Sequence, residues 1–175
     1  MITKKATVFW FTGLSGSGKT TIAEALSDQL INEGNKVLIL DGDSVRSSIT
    51  RSLGFSEEHI KANNLKVAEI VCENQKDFDF ILVPIISPYR KHRKMVGQMI
   101  KDNFYELYIN CSVEECVKRD TKGLYKKALS GEITNMIGFS ESNPYEPPLN
   151  AKMVVNTKDM TLEETIAQIR AFIKG

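Results

Sequence analysis

The sequence predicts an α/β fold in which a parallel sheet lies between two layers of helices. Three observations predict it. Short, near-continuous apolar runs alternate along the chain with segments of helical periodicity, the pattern of strands buried on both faces and joined by crossover helices. Residues 13–20, GLSGSGKT, stand directly between one such apolar run and one such helix, the context in which G-x-x-x-x-G-K-[ST] forms a phosphate-binding loop. The third is bulk: 175 residues, 42% hydrophobic and 26% charged, suit one ordinary globular domain.

Taken in order, residues 8–11 (VFWF) read as the first strand. In the loop that follows, Gly13, Gly16 and Gly18 let the backbone curl so that its N–H groups, including those of Ser15 and Ser17, point inward at phosphate oxygens. Lys19 adds a cation for the outer phosphates, and the Thr20 hydroxyl is suited to Mg²⁺. Thr21 continues into a helix whose positive end faces the ligand. That helix, 21–33, aligns Ile22, Ala25, Leu26 and Leu30 on one face and stops at Gly34, a C-terminal cap. Residues 36–40 form a short buried strand. Ser56, with Glu57 and Glu58, opens a helix to about Gln75 that turns Ile60, Leu65, Ala68, Ile70 and Val71 inward. Residues 80–86 are the next apolar strand; Pro84 lacks a ladder donor, so pairing is expected to fail there as the chain turns toward a site. A helix over 89–101 and a strand over 106–110 come next. Ser112 with Glu115, and Thr161 with Glu164, are capping boxes for two further helices, and 153–156 is a last short strand. No repeat or linker divides the chain, so 1–175 is expected to be a single domain.

Composition narrows the function. A formal charge of +1 gives no global field for nucleic acid or a membrane surface, and neither is expected as a partner. The N-terminal MITKKATVFWFTG carries two lysines and an apolar run, but the run leads into the loop and is too short to span a bilayer, so it reads as a first strand and not a signal. Cys72, Cys111 and Cys116 form no C-x-x-C pair, and with two histidines in the chain they make no convincing ligand set. Reduced thiols in a cytoplasmic protein are expected.

In open parallel sheets ligands bind at the carboxyl ends of the strands, and the residues there look chemical. The second strand is followed by DGDSVR, 41–46, and the third by ISPYRKHRK, 86–94. Asp41 and Asp43, two residues apart, suit a substrate hydroxyl and a Mg²⁺ shell. Gly42 between them permits close approach of backbone to ligand, although Asp-Gly is also a common turn. Five of the ten residues in KRDTKGLYKK, 118–127, are basic. A charge run is ordinarily a solvated face, yet one with Gly123 at its centre can fold over a polyphosphate and reopen.

In order and spacing, GLSGSGKTT, LDGDSVR, LGFS (53–56), Asn64, ISPYR, RDTKGLYKKALSGEI (119–133) and NPYEPP (143–148) resemble the adenylyl-sulfate (APS) kinases over residues 11–157. The resemblance implies a P-loop kinase that moves the ATP γ-phosphoryl group to the 3′-hydroxyl of APS, giving PAPS, with Mg²⁺ and as a homodimer. It implies Lys19, Asp43 and Asp41 as catalytic residues, with Asp43 on the accepting hydroxyl and Asp41 supporting Mg²⁺ beside Thr20. ATP is expected on Gly13, Ser15, Gly16, Ser17, Gly18, Lys19, Thr20, Thr21 and Arg119. The acceptor is expected on Arg46, Asn64 and Lys61 for the phosphosulfate and on Phe55, Met136 and Phe139 for the base. Ile86, Ser87 and Leu124 complete its pocket. Arg119, Lys122, Lys126 and Lys127 belong to a lid over about 118–148.

Three departures from the family pattern fall on the acceptor side. Lys61 stands where the family has Arg, and Lys66-Val67 stands for an Arg-Arg pair; an ammonium offers a mobile point charge where a guanidinium grips bidentately. Met136 replaces an aromatic that clamps the base, and the loop after it is two residues longer; Met covers a base flexibly, and Phe139 is available to stack. These motivate an alternative acceptor for the same chemistry, a cytidine nucleotide with a sulfate-like group such as cytidine diphosphoramidate in capsule polysaccharide modification. An ATP-switched binding protein is a second alternative. Such proteins place an acid after an apolar strand, and here that strand ends in Ile85-Ile86-Ser87-Pro88.

Overall fold

The computed structural model describes residues 5–174, so the two ends of the expected domain, 1–4 (Lys4 included) and 175, lie outside the described residues. Five strands, β1 (Thr7–Thr12), β2 (Val37–Ile39), β3 (Phe80–Pro84), β4 (Phe104–Asn110) and β5 (Met153–Asn156), make one sheet in the order β2-β3-β1-β4-β5. Every pairing is parallel. The helices are α1 (Lys19–Asn32), α2 (Gly42–Ser48), α3 (Glu57–Asn74), α4 (Arg90–Ile100), α5 (Val113–Arg119), α6 (Leu124–Leu129) and α7 (Leu162–Lys174).

Alternation along the strands builds the two halves of the core. Val8 and Trp10 of β1 face a cluster with Val67, Ala68 and Val71 of α3 and Val96 and Ile100 of α4. Phe9 and Phe11 face the opposite side, against Leu26 and Leu30 of α1 and Ile166 and Ile169 of α7. Side chains at successive strand positions point to opposite faces, so a strand apolar at every position must be covered twice. That is the expected three-layer sandwich.

Local signals account for most boundaries. Gly34 (φ 88°) closes α1 with Gly34 N–H to Ile31 O and Asn35 N–H to Leu30 O, the paired bonds of a Schellman cap. Ser56 caps α3 through the His59 N–H. Thr161 and Glu164 exchange both bonds of a capping box at 3.2 and 2.8 Å. Ser112 makes its half, accepting from Glu115 N–H, but the Glu115 carboxylate is drawn to Arg119 instead.

β3 stops at Pro84, two residues before the expected end. Ile85 N–H still reaches Phe11 O of β1, and Phe80 N–H reaches Lys36 O on the other side. By alternation Pro84 faces β2, which has already ended at Ile39, so its missing donor orphans nothing. Two helices were not expected: α2, which begins inside DGDSVR, and α6, which begins inside the basic run. Both are too short for periodicity to reveal.

Candidate active site

The P-loop forms the floor of the site, between the end of β1 and the start of α1. Gly13 has no alternative here, since a Cβ would lie 2.4 Å from Ile109 O on β4. Gly18, at φ 101°, takes the left-handed turn into α1. Lys19 is only 8% exposed. Its Nζ donates to Gly13 O at 2.9 Å and Leu14 O at 2.7 Å, so the lysine braces its own loop. Burial first, then the nearby Lys122 charge, lowers its pKa to about 8. At the next residue, the Thr20 hydroxyl donates to Asp41 Oδ2 at 3.1 Å.

Asp41 is shared between two tasks. Its Oδ1 accepts from Asp43 N–H and Ser44 N–H, capping α2, while Oδ2 meets Thr20. This fixes Asp43 in the first turn, where its carboxylate ion-pairs with Lys122 of the expected lid. Gly42 serves packing as well as approach: a Cβ would sit 2.7 Å from Ile85 Cγ1. Further along α2, Arg46 lies over the Phe55 ring at 5.0 Å and donates to Gly54 O at 2.9 Å. Phe55 itself is 43% exposed.

The far wall is the segment after β3. Ile86 O accepts from the Thr12 hydroxyl at 2.6 Å, and Ser87 O accepts from Arg93 at 2.7 Å. Asn64 Nδ2 donates to Ser87 Oγ at 2.9 Å, with both residues buried. Ser87 holds φ 45°, a conformation that costs a non-glycine residue free energy and persists only when its surroundings impose it. Arg93, buried and paired with Glu106 at 2.6 Å, is one of those impositions.

α5, α6 and the loop to β5 roof the cleft. Arg119 is braced by Glu115 at 3.1 Å and by Thr157 O at 3.0 Å, with Gly16 O at 3.4 Å. Tyr125 of α6 donates to Ser15 O at 2.7 Å. Beneath the roof, Leu14, Cys111, Cys116, Tyr125 and Met136 form a small apolar core, with the Phe139 ring edge-on to Tyr125. Burial pushes the Cys116 thiol up to about 12, so it packs as a neutral group; among the described residues the three cysteines are free thiols. The second half of the expected lid is tied down: Tyr145 OH pairs with Thr12, Glu146 N–H with Pro88 O, and Arg90 N–H with the Glu146 carboxylate.

These walls enclose a cleft of about 400 Å³. Of the residues expected from the sequence, Ser15, Gly16, Ser17, Gly18, Lys19, Thr20, Thr21, Asp41, Asp43, Arg46, Asn64, Ile86, Ser87, Arg119, Lys122 and Leu124 line it. Gly13 stands behind it, holding Lys19. Five others do not line it. Lys61 borders a separate shallow depression with Glu57, Lys91 and His92. Lys126 contributes its backbone N–H to Asp120, and Phe55 stands outside under Arg46. Met136 and Phe139 are turned into the roof core, and Ile137 between them lines the cleft. Thr157, Met160 and Leu162 line it as well without having been anticipated; they carry no charge or motif to mark them.

Comparison with known proteins decides what this cleft belongs to. The sequence pattern of adenylylsulphate kinase matches residues 5–156. The chain belongs to the adenylylsulphate kinase family. As a kinase of that family it is a phosphotransferase with a hydroxyl acceptor. It is 44% identical over 171 residues to the adenylyl-sulfate kinase of Staphylococcus epidermidis, covering 97% of this chain and 85% of that one. A probable adenylyl-sulfate kinase of Aeropyrum pernix is 38% identical, covering 98% and 94%. The Mycobacterium tuberculosis APS kinase CysC, solved in complex with AMPPNP and APS, superposes with a TM-score of 0.90 at 31% identity, covering 98% of this kinase and 99% of that chain. A gluconokinase from Sinorhizobium meliloti, at 13% identity and a TM-score of 0.65, shares the fold.

Proposed function

We propose that this kinase transfers the γ-phosphoryl group of ATP to the 3′-hydroxyl of adenylyl sulfate, producing the activated sulfate donor PAPS. The observation that carries the reading is the convergence of Lys19, the Thr20–Asp41 pair, Asp43 and the Asn64–Ser87 wall on one cleft, in a chain of this family. ATP enters along the P-loop, with Arg119 and Thr157 on its flank. The acceptor enters from the side of α2 and the Asn64–Ser87 wall, which puts its hydroxyl beside Asp43.

Phosphoryl transfer asks chiefly for alignment and neutralisation of charge. In the reaction the acceptor oxygen forms a bond to the γ-phosphorus, the bond to the ADP oxygen breaks, and the hydroxyl proton passes to Asp43. Lys19 leaves the Gly13 and Leu14 carbonyls for the phosphates, a stronger partner because both charges are formal. Lys122 leaves Asp43 when the acceptor arrives. The Thr20 hydroxyl beside the Asp41 carboxylate fits Mg²⁺, which takes oxygen ligands and uses one or two carboxylates together with substrate phosphates; no cluster of three acidic, His or Cys ligands exists among the described residues. The ion would spread the charge of the β- and γ-phosphates when bound. A coupled assay with Mg·ATP and adenylyl sulfate tests the reading, with acceptor-dependent ADP release expected.

For its setting we infer a homodimer in the cytoplasm. The three free thiols support a reducing compartment, and no helix of the described residues is long and apolar enough to cross a membrane. Light scattering at micromolar concentration tests the dimer, with twice the 19.7 kDa chain mass expected.

A further inference from the structure

The NPYEPP segment contains a side chain that the reaction does not use and that is nevertheless fully committed. Asn143 is 2% exposed. Its Nδ2 donates to Phe55 O at 2.9 Å and to Asn135 O at 3.0 Å, and its Oδ1 accepts from Tyr89 OH at 3.1 Å. The amide orientation is fixed by chemistry: turned over, it would set its oxygen against two carbonyl oxygens. Burial raises the Tyr89 pKa, so the phenol keeps the proton it donates. One side chain thereby joins the Phe55 loop, the lid at Asn135 and the entry to α4.

Phe55 is the residue whose position matters. Phe55 is 43% exposed, whereas its backbone is gripped from both sides. Arg46 holds Gly54 O and covers the ring from α2; Asn143 holds Phe55 O from the lid. A half-exposed aromatic on an immobilised backbone is a preorganised stacking surface, which binds a flat ligand without a further ordering cost.

We propose that Asn143 is a positioning residue for the acceptor, holding the Phe55 ring as a preset platform for the acceptor base. The proposal rests on the reading of Phe55 as the surface on which the acceptor base stacks. Asn143 touches no reacting atom and acts through Phe55.

The test is a double-mutant cycle between Asn143→Asp and Phe55→Ala, read as steady-state kinetics with Mg·ATP and adenylyl sulfate. Asp keeps the size and the acceptor toward Tyr89 but cannot donate to either carbonyl. Asn143→Asp should raise the acceptor KM about tenfold, as expected for two lost hydrogen bonds, with the ATP KM within about twofold and kcat within about threefold. Phe55→Ala should raise the acceptor KM at least as much, and the double variant should be no worse than Phe55→Ala alone, because residues acting through one another are non-additive. If Asn143→Asp does not accumulate as folded protein, Tyr89→Phe removes only the Oδ1 bond and should show the same acceptor-selective rise, about threefold to fivefold. A silent Asn143→Asp, an additive double variant, or equal losses in both substrates would overturn the role of Asn143. An unchanged acceptor KM in Phe55→Ala would overturn the stacking reading beneath it.

Discussion

Lys19 is pulled two ways: burial disfavours its charge, and the role proposed for it requires that charge. Its pKa of about 8 in the free protein rises once a triphosphate replaces the Gly13 and Leu14 carbonyls. Between the two values the complex holds a proton that the free enzyme has lost. ATP binding should therefore take up protons near pH 8.5, and affinity should fall as pH rises through about 8. Calorimetry in buffers of different ionisation enthalpy measures this directly, and a buffer-independent heat at pH 8.5 would contradict it. The same shift affects stability. The folded pKa lies below the unfolded 10.5, so the unfolded chain binds more protons between about 8 and 10.5, and Lys19 contributes a stability that increases with pH across that window. Lys19→Ala should remove most turnover while leaving the protein folded. For Asp43→Asn, kcat should drop by about 10² or more, the usual range for loss of a general base, with ATP affinity little changed; collapse of ATP binding would make Asp43 a metal group instead. The residues legible in the sequence are those whose chemistry is local, such as Lys19 and Thr20 inside one eight-residue motif. Asn143, Tyr145 and Arg93 were not legible, because their partners lie in distant segments: Phe55 for Asn143, Thr12 for Tyr145 and the Glu146 carbonyl for Arg93.

At the level of elements, caps and glycines carry measurable free energy. Thr161 and Glu164 satisfy each other's N–H groups at the entry to α7, and neither lines the cleft although Met160 and Leu162 on either side of Thr161 do. Thr161→Ala should lower stability by about 1 kcal/mol, seen as a shifted urea midpoint with unchanged kcat. Gly13 is the opposite case. With a Cβ 2.4 Å from Ile109 O, Gly13→Ala must push β1 from β4 at the P-loop, costing at least about 1–3 kcal/mol and disturbing the Lys19 brace; wild-type ATP affinity in that variant would refute the fit. Element type was legible where periodicity runs long enough, as in α1 and α3, and where an apolar run is continuous, as in β1. It failed for α2 and α6, at seven and six residues, where Asp41 and Gly123 also read as turn residues.

For the molecule as a whole, the parallel sheet fixes where chemistry happens. Order β2-β3-β1-β4-β5 brings the ends of β1, β2 and β3 side by side, so Gly13 at the start of the P-loop, Asp41 and Ser87 border one site although they stand 28 and 46 positions apart in turn. Sheet order was not readable from the sequence, since crossovers leave no local mark; the two-faced burial of the strands was. On the acceptor side, Met136 and Phe139 turn into the roof core and leave Ile137 at the cleft, so of the three residues expected to meet the base only Phe55, beside the cleft under Arg46, keeps an exposed ring for the role proposed above. The measurement that bears most directly on the central claim is kcat/KM with Mg·ATP for adenylyl sulfate, set beside cytidine diphosphoramidate. The account predicts efficient turnover of adenylyl sulfate to a 3′-phosphorylated product and none of the cytidine compound; faster turnover of the cytidine compound, or ATP hydrolysis that needs no nucleotide acceptor, would contradict it.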